Sequence, residues 1–430
     1  MNQIPAHPRF YRTLTTLSTL LALSFASSAG AVTLGLECQT NGDQYKACAK
    51  CAQIWAQKTG NKVNVTADTA NSSSDSLERY RLKLDDNSLG SDVFAIDVIW
   101  PSLLGQYLLD LSPYIKSTDK APFFKNMLAN DLQGSKLIAL PWYSDAGLLY
   151  YRSDLLEKYG YKNPPATWQE LFEMASKIQA GERPNNEGFS GFVTHASPNE
   201  GFTCVALEWI ASYGGGNIVD YRGNVTVNNP KSRAALELFS TQLKKVSPPN
   251  SSDFKGGDIR KIWLAGNAAF MRDWPISYTQ SQGKDSRVVG KFAVAVLPKG
   301  SATGRNAATL GGWQLAATKT TKYPKEAADL IRYLTSPEVQ RERIAEGALP
   351  TLKTLYQDRE VLKTYPYLAD LFEAYNSTVN RPSGVTGKKY ADVSSVFRSG
   401  VTDIMLGKTS VKEGLSKMEA DLKTLKGGGW

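Results

Sequence analysis

Apolar and polar positions along this chain change period again and again over short distances. Val32–Leu36 and Lys62–Ala67 have the apolar character of strands, and between them Gln44–Lys58 has helical spacing that stops at Gly60. Ser76–Asp86 predicts another helix, and Asp92–Trp100 is a strand-like run that carries Asp97 among apolar residues. Leu137–Pro141 and Gly147–Arg152 read as strands, followed by a helix at Ser153–Tyr159. Thr167-Trp168-Gln169-Glu170 reads as a capping box, a Thr and a Glu that each satisfy an amide at the start of a helix running through Ile178. Asn229-Pro230 and Ser336-Pro337 each pair a cap with proline at the first helical position. Cys204–Tyr213 is an apolar helix, and Tyr390–Leu425 reads as two amphipathic helices broken at Gly407. Such alternation predicts α/β layers with mostly parallel sheets. At roughly 100–200 residues per domain, 430 residues make about two domains. No repeat, low-complexity tract or long linker separates them, so several crossings should join them.

The N-terminus reads differently. Arg9 and Arg12, the apolar run Leu14 to Ala26 and the small residues Ala29-Gly30-Ala31 form a secretory signal over residues 1–31; the rival is a buried N-terminal helix. The run is too short to span a membrane, and no later stretch reaches about 18 apolar residues. Cleavage after Ala31 takes the formal charge from +9 to about +7, because only Arg9 and Arg12 are lost. The remaining positive charges, such as Lys244-Lys245 and Lys388-Lys389, are scattered, so a nucleic-acid partner is not expected.

Composition narrows the chemistry. Apolar residues at 42% and charged residues at 21% fit a soluble globular protein. Of the two histidines, His7 and His195, only His195 follows the signal. A Ser–His–Asp triad would need His195 as its base, and a His-rich metal site is excluded. Export makes disulfides possible. Cys38 stands before a helix in which Cys48 and Cys51 share one face; a Cys38–Cys48 bridge closes a short loop and is preferred, with Cys38–Cys51 its rival. Cys204 reads as a buried small hydrophobe, and a four-cysteine zinc site lacks a second close pair. The acidic Glu37 in Gly35-Leu36-Glu37-Cys38 argues against lipidation of Cys38 and for a freely soluble protein.

Trp142-Tyr143-Ser144-Asp145, Arg272-Asp273-Trp274-Pro275, Gly311-Gly312-Trp313-Gln314 and Asn380-Arg381-Pro382 set aromatic rings or guanidinium groups beside other polar residues, and Asp97 sits in an apolar run. Each falls at an expected strand end or turn, where open α/β sheets bind ligands. Carboxylates and guanidinium groups bond hydroxyls strongly, aromatic rings cover the apolar face of a sugar, and a glycine pair admits a close backbone approach. The combination points to carbohydrate.

The run Leu140-Pro141-Trp142-Tyr143-Ser144-Asp145-Ala146-Gly147-Leu148-Leu149-Tyr150-Tyr151-Arg152 resembles its counterpart in the trehalose/maltose-binding proteins of ABC importers. Thr167–Glu170, Asn267–Pro275, Ala308–Trp313 and Arg381 to Val396 are similar to that family in the same order, over nearly all of the chain after the signal. The resemblance implies an α/β, two-lobed periplasmic-binding-protein fold with multiple hinge crossings. Residues 32–143 and 313–362 would form the first lobe and residues 144–312 and 363–430 the second. It implies sugar contacts from Asp97, Tyr143, Asp145, Trp274, Gly312, Trp313 and Arg381, with Arg79 and Asp43 as further transfers and Gln44 as the alternative to Asp43. The spacing of Cys38 and Cys48 matches members of that family, and Ile276 stands where some of them carry an aromatic residue. The function implied is a periplasmic, monomeric receptor that captures a disaccharide by hinge closure and delivers it to the permease subunits of an ABC importer. No catalysis, cofactor or metal is expected. The rival from another class is a secreted glycosidase using paired carboxylates such as Asp97 and Asp145.

Overall fold

The computed structural model describes Met1 and residues 30–38, 43–70, 73–376 and 378–430. The expected signal segment therefore lies almost wholly outside the described residues. Three strands open the chain: β1 (Thr33–Cys38), β2 (Lys62–Ala67) and β3 (Val93–Asp97). The short hairpin β4 (Leu132–Gln133) and β5 (Lys136–Leu137) precedes β6 (Leu140–Ala146) and β7 (Leu148–Arg152). The remaining strands are β8 (Ser190–Val193), β9 (Ala268–Asp273), β10 (Phe292–Val296) and β11 (Leu310–Ala317).

These strands build two sheets. The first runs β2-β1-β3-β11-β6 and the second β10-β7-β9-β8. Neither is mostly parallel. β1 lies parallel to β2 and β3, and β8 to β9, but β11 is antiparallel to both β3 and β6, and β7 to both β9 and β10. The reason lies in the connections. Right-handed helical crossovers deliver parallel neighbours within one sheet. Chain that passes from one sheet to the other, or returns from it, enters beside whichever strand is open and in the opposite direction. Only Gly147 separates β6 in the first sheet from β7 in the second, and β11 is the return strand. A side chain at Gly147 would have no room: an ideal Cβ would stand 2.2 Å from Glu208 Oε1 and 2.5 Å from an Arg272 nitrogen.

Helices cover the sheets, most with one buried apolar face, and the helix Glu200–Ser212 is buried nearly all round. Asp43–Thr59 ends where Gly60 takes φ +77°, the left-handed turn that favours glycine. The helix at Trp168–Glu182 starts as expected, with Thr167 Oγ1 accepting the Glu170 amide at 3.2 Å. Glu170, however, accepts the amide of Ala166 at 2.8 Å, one residue earlier than a capping box requires. Asn229 and Ser336 cap the helices Pro230–Val246 and Pro337–Arg343. The apolar helix begins at Glu200, four residues before Cys204, because Asn199 caps it by accepting the Gly201 amide. The tail forms Tyr390–Met405 and Val411–Lys426 on either side of Gly407. Cys38, the last residue of β1, is bonded to Cys48 with 6.3 Å between their Cα atoms, while Cys51 and Cys204 are buried thiols. Among the described residues no helix is long and apolar enough to cross a membrane.

Candidate functional site

β3, β11 and β6 lie side by side in the first sheet, and their pairing gathers much of the expected site. Trp313 on β11 is level with Asp97 on β3 and with Tyr143 on β6; Gly312 faces Ser144 and Gly311 faces Asp145. Three distant segments of sequence thus become one strip. The strip borders a cleft of about 1170 Å³ whose lining also takes in His195 and Trp274, which follow β8 and β9 of the second sheet. Asp97, Tyr143, Asp145, Gly312 and Trp313 line it, as do Trp274 after β9, Arg381, and Gln44 in the first turn of the helix Asp43–Thr59. The Asp43 side chain lies outside the described residues. Arg79 does not line the cleft: it is paired with Glu37 and with Asp68, and its guanidinium lies 4.3 Å from the Tyr80 ring. Asp68 lines the cleft in its place.

The two carboxylates of the strip have opposite surroundings. Asp97 accepts Ser73 Oγ at 2.9 Å, the Ile99 amide at 3.2 Å and Arg381 Nη2 at 3.1 Å. Asp145 takes no hydrogen bond from another described residue, although it is only partly exposed. Burial and the neighbouring Asp273 and Asp97 carboxylates push its pKa up to about 8. A carboxyl at the wall of a cleft with no hydrogen-bond donor among the described residues is a group left for something else to bond.

The aromatic groups are fixed from behind. The Arg272 guanidinium stacks 4.2 Å from the Trp274 ring and is itself held by Glu208, with Nε 2.8 Å from the carboxylate. Glu208 also accepts the Thr309 amide at 3.0 Å, and both ions are fully buried. A cation on one face leaves the other face of half-buried Trp274 for the cleft. Tyr143 is backed by Arg343, whose guanidinium lies 4.0 Å from the Trp142 ring and 5.1 Å from the Tyr143 ring. Trp313 is 9% exposed and packs edge-on against Trp100 at 5.3 Å, so it serves core and cleft together. The glycine pair does more than admit a ligand. Gly312 has φ +116°, and a Cβ there would stand 2.5 Å from the Tyr143 carbonyl oxygen; at Gly311 it would meet Trp274 at 3.0 Å. These two positions are bare because the strip itself is crowded.

Several lining residues were not singled out from the sequence. Arg381 Nη1 donates to Glu200 at 2.9 Å, and Glu200 also accepts Ser394 Oγ at 2.6 Å and the Tyr390 hydroxyl. Asp97, Arg381 and Glu200 therefore form one chain of charges from the first sheet to the helix Glu200–Ser212. His195 Nε2 lies 2.8 Å from Asp273, which also receives Arg260 at 3.2 Å and Ser277 at 2.5 Å. Burial alone would raise the Asp273 carboxyl, yet Arg260, His195 and Ser277 outweigh it and hold the group below the usual carboxylate range. This is not a nucleophilic triad, because Ser277 bonds the aspartate and not the histidine. A signal for some of these residues exists in the sequence. His195 is the lone histidine after the signal, and Glu200 and Glu208 are acids in an otherwise apolar helix, which demands buried partners.

The comparisons with known proteins agree with this architecture. A family model described as bacterial extracellular solute-binding protein matches residues 40–341. The chain is 45% identical over 415 residues to a "Probable ABC transporter-binding protein" of Deinococcus radiodurans, which covers 96% of this chain and 98% of that one. A maltose-bound T. maritima MalE3 structure superposes with TM-score 0.84 at 32% identity, over 92% of this chain and all of that one. A mannitol-bound solute-binding protein of Agrobacterium vitis S4 shares the fold with TM-score 0.76 at 19% identity, over 92% and 98% of the two chains. The fold is the two-lobed periplasmic-binding-protein fold, and the chain belongs to the bacterial extracellular solute-binding protein family, whose members bind solutes and are not enzymes.

Proposed function

We propose that this protein is the periplasmic receptor of an ABC sugar importer and that it captures a disaccharide such as maltose or trehalose. The observation that carries the reading is the strip in which Asp97, Trp313 and Tyr143 stand level on three strands, with Asp145 beside them and the Trp274 ring against Gly311. Acceptors at the rim and aromatic faces within it match a sugar's hydroxyl edge and apolar faces. The likeness to a maltose-bound structure at 32% identity and the 45% identical relative named for an ABC transporter support the same reading. Asp43 or Gln44, Arg79, Gly312 and Arg381 complete the proposed set of sugar-site residues, with Arg79 acting through Asp68. Residues 32–143 and 313–362 would move against residues 144–312 and 363–430, closing on the sugar and presenting the closed form to the permease. The signal would be removed near Ala31, leaving a soluble monomer. Cys38, bonded to Cys48, offers no thiol for a lipid.

Calorimetric titration of the exported chain with maltose, trehalose and sucrose tests the reading. Saturable binding of at least one, without released glucose, is the expected result. Absence of heat with all of them refutes it, and glucose release would favour the glycosidase.

A further inference from the structure

Beyond the end of β8 the cleft wall holds a group that the sugar-site residues above do not include. His195 is 7% exposed, lines the cleft, and meets the Trp274 ring edge-on with 6.5 Å between centroids. Its Nε2 faces the Asp273 carboxylate at 2.8 Å, and Arg260 and Ser277 keep that carboxylate ionised. An ionised carboxylate only accepts, so Nε2 must carry the hydrogen. In the neutral ring this leaves Nδ1 with its lone pair, and Nδ1 makes no hydrogen bond to another described residue. The approach to that edge is open because glycines flank it. An ideal Cβ at Gly201 would stand 3.1 Å from Nδ1, and one at Gly256 would stand 2.9 Å from Cε1; both glycines line the cleft. An oriented acceptor at the cleft wall with no donor among the described residues is left for a ligand or solvent hydroxyl to fill.

We infer that His195 Nδ1 is a sugar-binding acceptor, oriented by Asp273, which takes a hydroxyl hydrogen from the sugar ring seated on Trp274. The inference rests on the sugar-receptor reading. It assigns Asp273 as a positioning residue that fixes the tautomer without touching the sugar. It also assigns part of the selectivity to this corner. A ring with a hydroxyl at the carbon facing Nδ1 satisfies the imidazole, whereas the corresponding deoxy sugar leaves it unpaired.

Two reciprocal variants test it by titration with maltose, trehalose and sucrose. His195→Gln keeps a donor near the Nε2 position for Asp273 and removes the Nδ1 acceptor. His195→Asn keeps an acceptor near Nδ1 and removes the donor to Asp273. The sugar bound most tightly by the wild type should bind His195→Gln about tenfold more weakly, which is about 1.4 kcal/mol. His195→Asn should stay within about threefold of the wild type while melting at a lower temperature. Gly201→Ala, which sets a methyl group against Nδ1 and leaves Asp273 untouched, should also weaken binding. Unchanged affinity in His195→Gln, or equal losses in both histidine variants, overturns the inference and leaves His195 a structural partner of Asp273. If the wild type binds neither maltose, trehalose nor sucrose, the sugar reading itself falls and the inference with it.

Discussion

Replacing Asp145 with asparagine should make the protein more stable and a weaker sugar binder at once. An aspartate in an unfolded chain titrates near 3.9, and in the cleft its pKa is about 8. A raised folded pKa means that the native state holds the proton more tightly than the unfolded chain. The ionised form is therefore penalised only in the native state. That penalty is absent below about pH 4, grows between about pH 4 and 8, and is constant above. Four pKa units set a ceiling on the order of 5 kcal/mol, and water reaching the cleft lowers the working figure to about 2 kcal/mol. With about 2.1 cal/mol/K of unfolding entropy per residue over Val32–Trp430, Asp145→Asn should raise the melting temperature by about 2–3 °C at pH 8. The gain should vanish toward pH 4. Maltose affinity should fall by tenfold or more, the worth of a hydrogen bond to a charged acceptor at about 1.5–3 kcal/mol. A sugar hydroxyl donating to the ionised group should also release up to about one proton at pH 7, which titrations in buffers of different ionisation enthalpy would read. A variant that melts below the wild type at pH 8, or an offset that does not change with pH, would refute the electrostatic account of this site.

Trp274→Ala should weaken maltose binding by about 1–3 kcal/mol and remove most of the sugar-induced change in tryptophan fluorescence; unchanged affinity would return Trp274 to the core. Arg381→Ala leaves Asp97 and Glu200 without their shared cation, so unfolding should become easier by about 3–5 kcal/mol, read as a lower denaturant midpoint. Cys48→Ala opens the ten-residue link to Cys38 and should cost about 2–3 kcal/mol under oxidising conditions, with no added loss when the variant is reduced.

Local chemistry accounts for what the sequence made legible. Helix caps at Asn229 and Ser336 and the stop at Gly60 are written in residues within a turn of the boundary, and the structure places them there. Asp97, Tyr143, Asp145, Trp274 and Trp313 were visible because a polar or aromatic group beside an apolar run has to go somewhere. Strand direction was not legible. A strand returning from the other sheet looks in composition like one delivered by a local crossover, so β11 gave no sign that it would run antiparallel to β3 and β6. Long-range ion pairs were equally silent. Arg79 carries nothing in its neighbourhood to show that Glu37 and Asp68 claim it. Glu200 and Arg381 stand 181 residues apart.

The charge chain from Asp97 through Arg381 to Glu200 bears on what would drive the proposed closure. A shift from 1:99 to 99:1 would need about 5.5 kcal/mol of differential binding energy, and Asp97, Asp145 and Arg381 are the charged groups of the proposed site. The structure divides these residues. Arg381 already donates to Asp97, to Glu200 and to the Leu310 carbonyl oxygen, and Asp97 already holds three donors. A sugar hydroxyl at either group replaces or shares an existing bond, so its net gain is small. Among the described residues, Asp145, the cleft-side face of Trp274 and Nδ1 of His195 have no such partners to surrender. Closure energy should then come mainly from these three groups, while the Asp97–Arg381–Glu200 chain holds its parts of the two walls in register. Ligand-induced compaction measured by small-angle scattering separates the roles. Under saturating maltose, Arg381→Lys, which keeps a cation between the two acids, should still compact. Asp145→Asn combined with Trp274→Ala should not. Compaction lost in the first and kept in the second would reverse the assignment.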